Sequence, residues 1–247
     1  MLKKMNWEKV KENLLDILFP RFCFGCGREG FYFCDHCEVF LTENNLICPL
    51  CGEASYAGKT HPSCETSVDI DGLVSIWDYE GAIKKAIVDI KASNHFYVAN
   101  RLIEKAFLIM SRDQNRFEEF LNLLLVKRAT ISFVPGTKEE RAKGLKMNEN
   151  KNHAKVIAGK LAQITDRPKP EKLLLKIRET KKQANLKRAE RLENVKGAFR
   201  ASKGKLPKRV VLVDDVFTTG ATMRECGKTL KKEGVEAVWG FTLARKV

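Results

Sequence analysis

No run of 18 or more apolar residues occurs in these 247 residues, so no membrane-spanning helix and no membrane insertion are expected. Nor does the start read as a secretion signal. Met1–Pro20 carries Lys3 and Lys4, but Glu8, Lys9, Lys11, Glu12 and Asp16 interrupt any apolar core. The C-terminal part shows no internal repeat, and the chain no long low-complexity segment. Cysteine is nearly missing beyond residue 64: seven of the eight lie between Cys23 and Cys64, and Cys226 reads as a buried core thiol. The expected compartment is the cytoplasm. Thiols stay reduced there, which favours metal ligation over disulfides.

Positive charge, by contrast, is plentiful. Lys and Arg number 45 against 31 Asp and Glu, a formal net charge of +14. That excess fits a polyanionic partner, either a small phosphorylated ligand or nucleic acid, and it equally fits a solvated Lys-rich face. Hydrophobic residues make up 44% of the chain, enough for a sizeable core. The length suits one α/β domain plus a small module.

Trp7, Val10, Leu14, Leu15 and Leu18 recur at helical spacing, and Pro20 ends that helix. The spacing then predicts strands over Leu73–Trp77, Thr130–Val134, Leu173–Ile177, Val210–Val213 and Val235–Leu243. It predicts helices over Gly81–Ser93, Val98–Met110, Phe117–Val126, Ala154–Ile164 and Ala221–Lys232. Strands alternating with helices indicate an α/β fold with a parallel sheet. The expected division is a helix and metal module over 1–68 and the α/β domain over 69–247.

Between residues 23 and 64 periodicity is weak, and so small a segment needs a staple. The cysteines supply one: Cys23-x2-Cys26, Cys34-x2-Cys37, Cys48-x2-Cys51 and His61-x2-Cys64. Two intervening residues let both ligands of a tight turn face one ion, and zinc takes four N/S ligands tetrahedrally. Eight ligands imply two structural Zn²⁺ ions. Sequential pairing is simplest, and an interleaved arrangement is the alternative. Gly25, Gly27 and Gly52 suit the turns because glycine accepts positive φ. His36 reads as a bystander. Phe22, Phe24, Phe31, Tyr32 and Phe33 could stack on bases, although packing within a tiny module is the plainer reading.

The segment Arg209–Thr222 reads R-V-V-L-V-D-D-V-F-T-T-G-A-T. A buried apolar strand delivers Asp214 and Asp215 side by side, where vicinal ribose hydroxyls could satisfy them. Thr218, Thr219, Gly220, Ala221 and Thr222 then open a helix. Small residues there let backbone N–H groups approach an anion, and the helix N-terminus adds positive potential. Acids for a diol followed by a phosphate cradle point to a 5-phosphoribosyl group. Lys91, at the end of the Gly81–Ser93 helix, could also reach this site; a surface lysine is the simpler reading.

These residues resemble the loop that binds phosphoribosyl pyrophosphate (PRPP) in type I phosphoribosyltransferases. A second pattern narrows the family: Arg178-x-Thr180-x2-Gln183-x2-Leu186-x-Arg188-x2-Arg191-x2-Asn194-Val195-x-Gly197-Ala198-Phe199 is similar to the hallmark of the ComF family. Leu18-Phe19-Pro20-Arg21-Phe22-Cys23 resembles that family's entry to its first zinc knuckle. The resemblance spans nearly the whole chain. It implies a double zinc ribbon before a type I phosphoribosyltransferase fold, and in many relatives a role in DNA uptake and natural transformation. One stretch departs from the family's compact R-x-R-G-F-N-Q motif. Val134-Pro135-Gly136-Thr137-Lys138 is followed here by Arg141-Ala142-Lys143-Gly144-Leu145, with Asn152 and His153 displaced as if residues were inserted.

Three functions follow as expectations. One is transfer of phosphoribosyl from PRPP, with Mg²⁺ on its pyrophosphate, to an unidentified nitrogenous acceptor. Asp214 and Asp215 would hold the ribose hydroxyls, directly or through the metal, Gly136, Thr137 and Lys138 the pyrophosphate, and the polar stretch 178–199 would close as a lid carrying Arg188 and Arg191. Another is a PRPP or nucleotide sensor without turnover. The last is a competence factor that contacts single-stranded DNA or a helicase partner.

Overall fold

The computed structural model describes residues 20–93, 96–136, 152–180 and 188–246. The expected helix over Trp7–Leu18 lies outside them. Four strands form one parallel sheet: β1 (Gly72–Asp78), β2 (Thr130–Phe133), β5 (Arg209–Phe217) and β6 (Ala237–Arg245), in the order β1-β6-β5-β2. Their apolar runs are buried along nearly their whole length, as strands covered on both faces must be.

Alternation along the strands assigns each side chain to a face. Val211, Val213, Phe241 and Leu243 meet helices α3 (Phe96–Arg112) and α5 (His153–Ile164) through Leu102, Ile103, Ile157 and Leu161. Val210, Leu212 and Val238 meet α7 (Ala221–Lys232) through Met223, Cys226 and Leu230 on the other face. Cys226 is fully buried there, as its sequence context indicates.

The cysteine-rich segment is joined to this frame. It contains the single turn α1 (Asp35–Glu38). Phe33 and Leu46 enter the first core cluster and Ile47 the second. Around these apolar anchors Glu43 pairs with Arg112 at 2.7 Å and with Arg116 at 3.1 Å.

Several elements differ from the sequence reading, among them β6, expected over Val235–Leu243 and found over Ala237–Arg245. The expected strand Leu173–Ile177 is shorter, Leu174–Lys176 (β3), and does not join the parallel sheet. It pairs antiparallel with Phe199–Ala201 (β4), so the polar stretch leaves and returns on a two-stranded stem. Leu174 and Phe199 bury against the α7 side of the core, which fixes the stem. Within the polar stretch, α6 spans Arg188–Val195. The helix expected over Phe117–Val126 begins as α4 (Glu118–Leu121) and widens over Asn122–Val126, where Lys127 N–H donates to the Asn122 carbonyl at 2.8 Å. Finally, β5 runs four residues beyond Val213, because β6 continues beside it through the pair Phe217 and Arg245. No helix among the described residues is long and apolar enough to cross a membrane.

Candidate functional site

A cavity of about 410 Å³ opens at the carboxyl ends of β1, β5 and β6, where open parallel sheets place their ligands. Asp214, Asp215, Thr218, Gly220, Ala221, Thr222 and Arg191 all line it. The sequence-predicted acids, most of the predicted cradle and one predicted lid arginine therefore face a single space. Thr219 is the exception within the cradle. Its hydroxyl lies 3.5 Å from the Ala221 N–H, at the first turn of α7. Gly136 is exposed after β2 and does not line the cavity. Thr137, Lys138 and the side chain of Arg188 lie outside the described residues.

The turn between β5 and α7 depends on one glycine. Gly220 takes φ 74°, in the left-handed region that favours glycine. A Cβ there would sit 2.4 Å from Phe217 Cζ. This tight turn brings the N-terminus of a 12-residue helix to the carboxylates, with its backbone donors directed at the cavity end.

Electrostatics separate the two acids. Burial pushes the Asp214 carboxyl up to about 7, with the Asp215 charge adding to the effect; the Asp215 N–H, donating to Asp214 Oδ1 at 2.9 Å, opposes it. Asp215 instead has a direct counter-ion. Lys91 Nζ lies 2.9 Å from Asp215 Oδ1. Burial alone would lower the Lys91 pKa, but the charges of Asp215 and Asp214 raise it above its ordinary value. Thus Lys91, read more simply as a surface residue, belongs to the site. Lys91 stands in the last turn of helix α2 (Gly81–Ser93), and its side chain reaches Asp215 on β5.

His153 also senses this charge pair. Burial lowers its pKa, while Asp215 acts to raise it and Lys91 to lower it. Its Nε2 is buried with no hydrogen-bond partner among the described residues. The preceding Asn152 caps α5 by accepting from the Lys155 N–H at 3.1 Å and donates to the Val134 carbonyl at 3.1 Å. Tyr79, Val216, Phe217, Met223 and Lys246 complete the lining, and of these Tyr79, Met223 and Lys246 lie outside the segment that the sequence singles out. Tyr79 and Lys246 follow β1 and β6 directly, so only the strand order reveals their proximity.

The cysteine module holds two compact ligand sets. Cys23, Cys26, Cys34 and Cys37 form one, and Cys48, Cys51, His61 and Cys64 the other; within each, all ligand atoms lie within 4.8 Å of one another. Cys34 Sγ lies 3.7 Å from Cys23 Sγ and 3.6 Å from Cys26 Sγ. Tetrahedral zinc with ordinary Zn–S bonds requires sulfurs about 3.8 Å apart. Cys51 Sγ to His61 Nδ1 is 3.4 Å, and the other ring nitrogen lies 3.0 Å from the Ala54 carbonyl, a contact that orients the imidazole. Both groups fit zinc, and the sequential pairing is the one the fold assembles. Gly27 and Gly52 adopt positive φ as expected. Gly25 does not. A Cβ there would lie 2.6 Å from Cys37 Sγ, so its role is close approach.

Comparison with known proteins agrees with this architecture. Residues 151–246 match the phosphoribosyl transferase domain family. The chain is 29% identical over 228 residues to Competence protein F of Haemophilus influenzae (strain ATCC 51907 / DSM 11121 / KW20 / Rd), covering 90% of each chain. It is 38% identical over 72 residues to Competence protein ComFC of Streptococcus pneumoniae (strain ATCC BAA-255 / R6), covering 29% of this chain and 33% of that protein.

Proposed function

We propose that this chain, a member of the ComF family with a phosphoribosyl transferase domain, binds PRPP and transfers its phosphoribosyl group to a nitrogenous acceptor. One observation carries the reading: adjacent carboxylates, a left-handed glycine turn and a helix N-terminus converge on one cavity. The 5-phosphate would lie against the backbone donors of Thr218–Thr222. Asp214 and Asp215 would accept hydrogen bonds from the ribose hydroxyls. Arg191, on the segment that returns to β4, faces the same space and would neutralise phosphate charge as that segment closes. Gly136–Lys138 remain the candidates for the pyrophosphate.

Such a site needs no protein nucleophile. Departure of pyrophosphate leaves positive charge on C1 and the ring oxygen of the ribose. Neighbouring carboxylates stabilise that charge while the held phosphate and diol fix C1 in place. Mg²⁺, bound mostly by substrate oxygens and water, would supply charge neutralisation on the leaving group. Two structural Zn²⁺ ions would hold the N-terminal module together.

Calorimetry of PRPP with Mg²⁺ tests the reading. Wild type should bind, and Asp214→Asn/Asp215→Asn should lose binding. A folded, zinc-loaded wild type that binds neither PRPP nor ribose 5-phosphate would sink it. Incubation with metabolite extract then separates transferase from sensor, since a sensor leaves PRPP intact.

A competence role has a narrower basis in the names of the relatives and in the module surface. Phe24 and Phe33 pack with ring centroids 5.8 Å apart, but Phe22 and Phe31 are exposed. Exposed aromatics on a basic chain suit single-stranded DNA, whose binding would fall steeply with salt.

A further inference from the structure

We infer that Lys91 is a built-in counter-cation of the ribose-binding acids, so that a ribose 5-phosphate group is held at Asp214 and Asp215 without a divalent ion. The inference rests on the phosphoribosyl reading of this cavity. It assigns the ammonium group of Lys91 to the acids that hold the sugar hydroxyls whenever no metal is bound.

Adjacent carboxylates facing one cavity repel each other and attract whatever cation can reach them. A site lacking its own cation would recruit one from solution, and hard oxygen donors of this kind suit Mg²⁺. Here the chain supplies the charge. Lys91 arrives from an element 124 residues away and places Nζ 2.9 Å from Asp215 Oδ1. The side chain of Asp215 is only 16% exposed and that of Lys91 is 42% exposed, so solvent screens the pair in part. The helix end adds to the fit, since a cation in the last turn is favoured by the helix dipole.

The contact leaves room for the sugar. One ammonium N–H is used on Asp215 and two remain, while each carboxylate offers about four acceptor positions. Ribose hydroxyls can therefore share Asp215 with Lys91 rather than displace it. Because Lys91 lines the cavity, it borders the space that the ligand would occupy. Lys91 is thus a residue of the sugar site.

The test is a calorimetric titration with ribose 5-phosphate, which has no pyrophosphate to demand metal. Divalent ions other than tightly held zinc are removed by resin treatment of the buffer, because a chelator would attack the zinc module. Wild type should bind with a Kd that changes less than about threefold between zero and millimolar Mg²⁺. Lys91→Met should bind roughly tenfold or more weakly without Mg²⁺ and recover most of that loss with it. Lys91→Arg, which keeps the charge, should stay metal-independent. Tight metal-free binding by Lys91→Met overturns the inference, as does a loss that Mg²⁺ does not reverse. The wild-type titration decides even if the Met variant is unstable, since a requirement for Mg²⁺ there also overturns it. Binding of PRPP with Mg²⁺ in that case would leave the phosphoribosyl reading intact.

Discussion

Asn44 Oδ1 accepts a hydrogen bond from Arg245 Nη2 at 3.0 Å, tying the cysteine module to the last residue of β6. Asn44 is 1% exposed. Its Nδ2 donates to the Trp77 carbonyl, and its backbone N–H donates to the Ile76 carbonyl at 2.8 Å. One buried amide thus bridges the ends of two strands whose next residues, Tyr79 and Lys246, line the cavity. Asn44→Leu keeps the branched outline of the side chain but leaves a carbonyl and a guanidinium donor without this partner. The expected cost is about 2–4 kcal/mol in urea unfolding of the zinc-loaded protein. An unchanged midpoint would show that the bridge is dispensable.

Gly220→Ala should damage the cradle for two separable reasons. The left-handed backbone costs an alanine roughly 1–2 kcal/mol. The added methyl would also lie 2.4 Å from Phe217 Cζ, and overpacking of this kind costs roughly 1–3 kcal/mol. Stability and ribose 5-phosphate affinity should therefore both fall. Gly220→Ala/Phe217→Leu removes the ring edge and should regain the packing part while the backbone part remains. If the double variant is no better than the single, the clash is not the cause.

The parts legible in the sequence were those with local signatures. Val210–Val213 reads as a buried strand from four apolar residues, and Asp214–Thr222 as a site from adjacent acids before small, hydroxyl-bearing residues. The eight zinc ligands follow from spacing, whereas their division into two sequential sets needed the fold. What stayed hidden depends on long-range geometry. Lys91 looks like any last-turn lysine until the path of α2 is known, and Lys246 joins the site only because β6 lies beside β5. Phe199–Ala201 escaped because three residues after a polar run carry no strand pattern; burial of Phe199 against the α7 face selects it.

Asp214 should make stability depend on pH. Its carboxyl rises from 3.8 to about 7 on folding, so between those values the folded state holds a proton that the unfolded chain has released. The unfolded state then binds fewer protons, and stability falls as pH rises through that window. Below it both states are protonated and no penalty exists; above it the penalty is complete. Asp214→Asn should flatten this slope, so that the variant gains on wild type from about pH 4 to pH 7. Urea midpoints at half-unit pH steps check it. A parallel pair of curves would mean that Asp214 ionises normally.

Zinc content provides the most direct check of the N-terminal module. If each ligand set binds one ion, the purified protein should carry two zinc ions per chain by elemental analysis. Cys34 and Cys48 are both buried, and each belongs to a different set. Cys34→Ser and Cys48→Ser should therefore each lower the content by about one ion, and the double variant should lose both. Because Phe33 and Leu46 of this module belong to the same core cluster as Val211 and Phe241, metal loss should also destabilise the sheet. The thermal midpoint of the whole chain should fall in either variant. Loss of both ions from a single substitution would instead indicate that the two groups bind cooperatively or share ligands, contrary to the sequential arrangement.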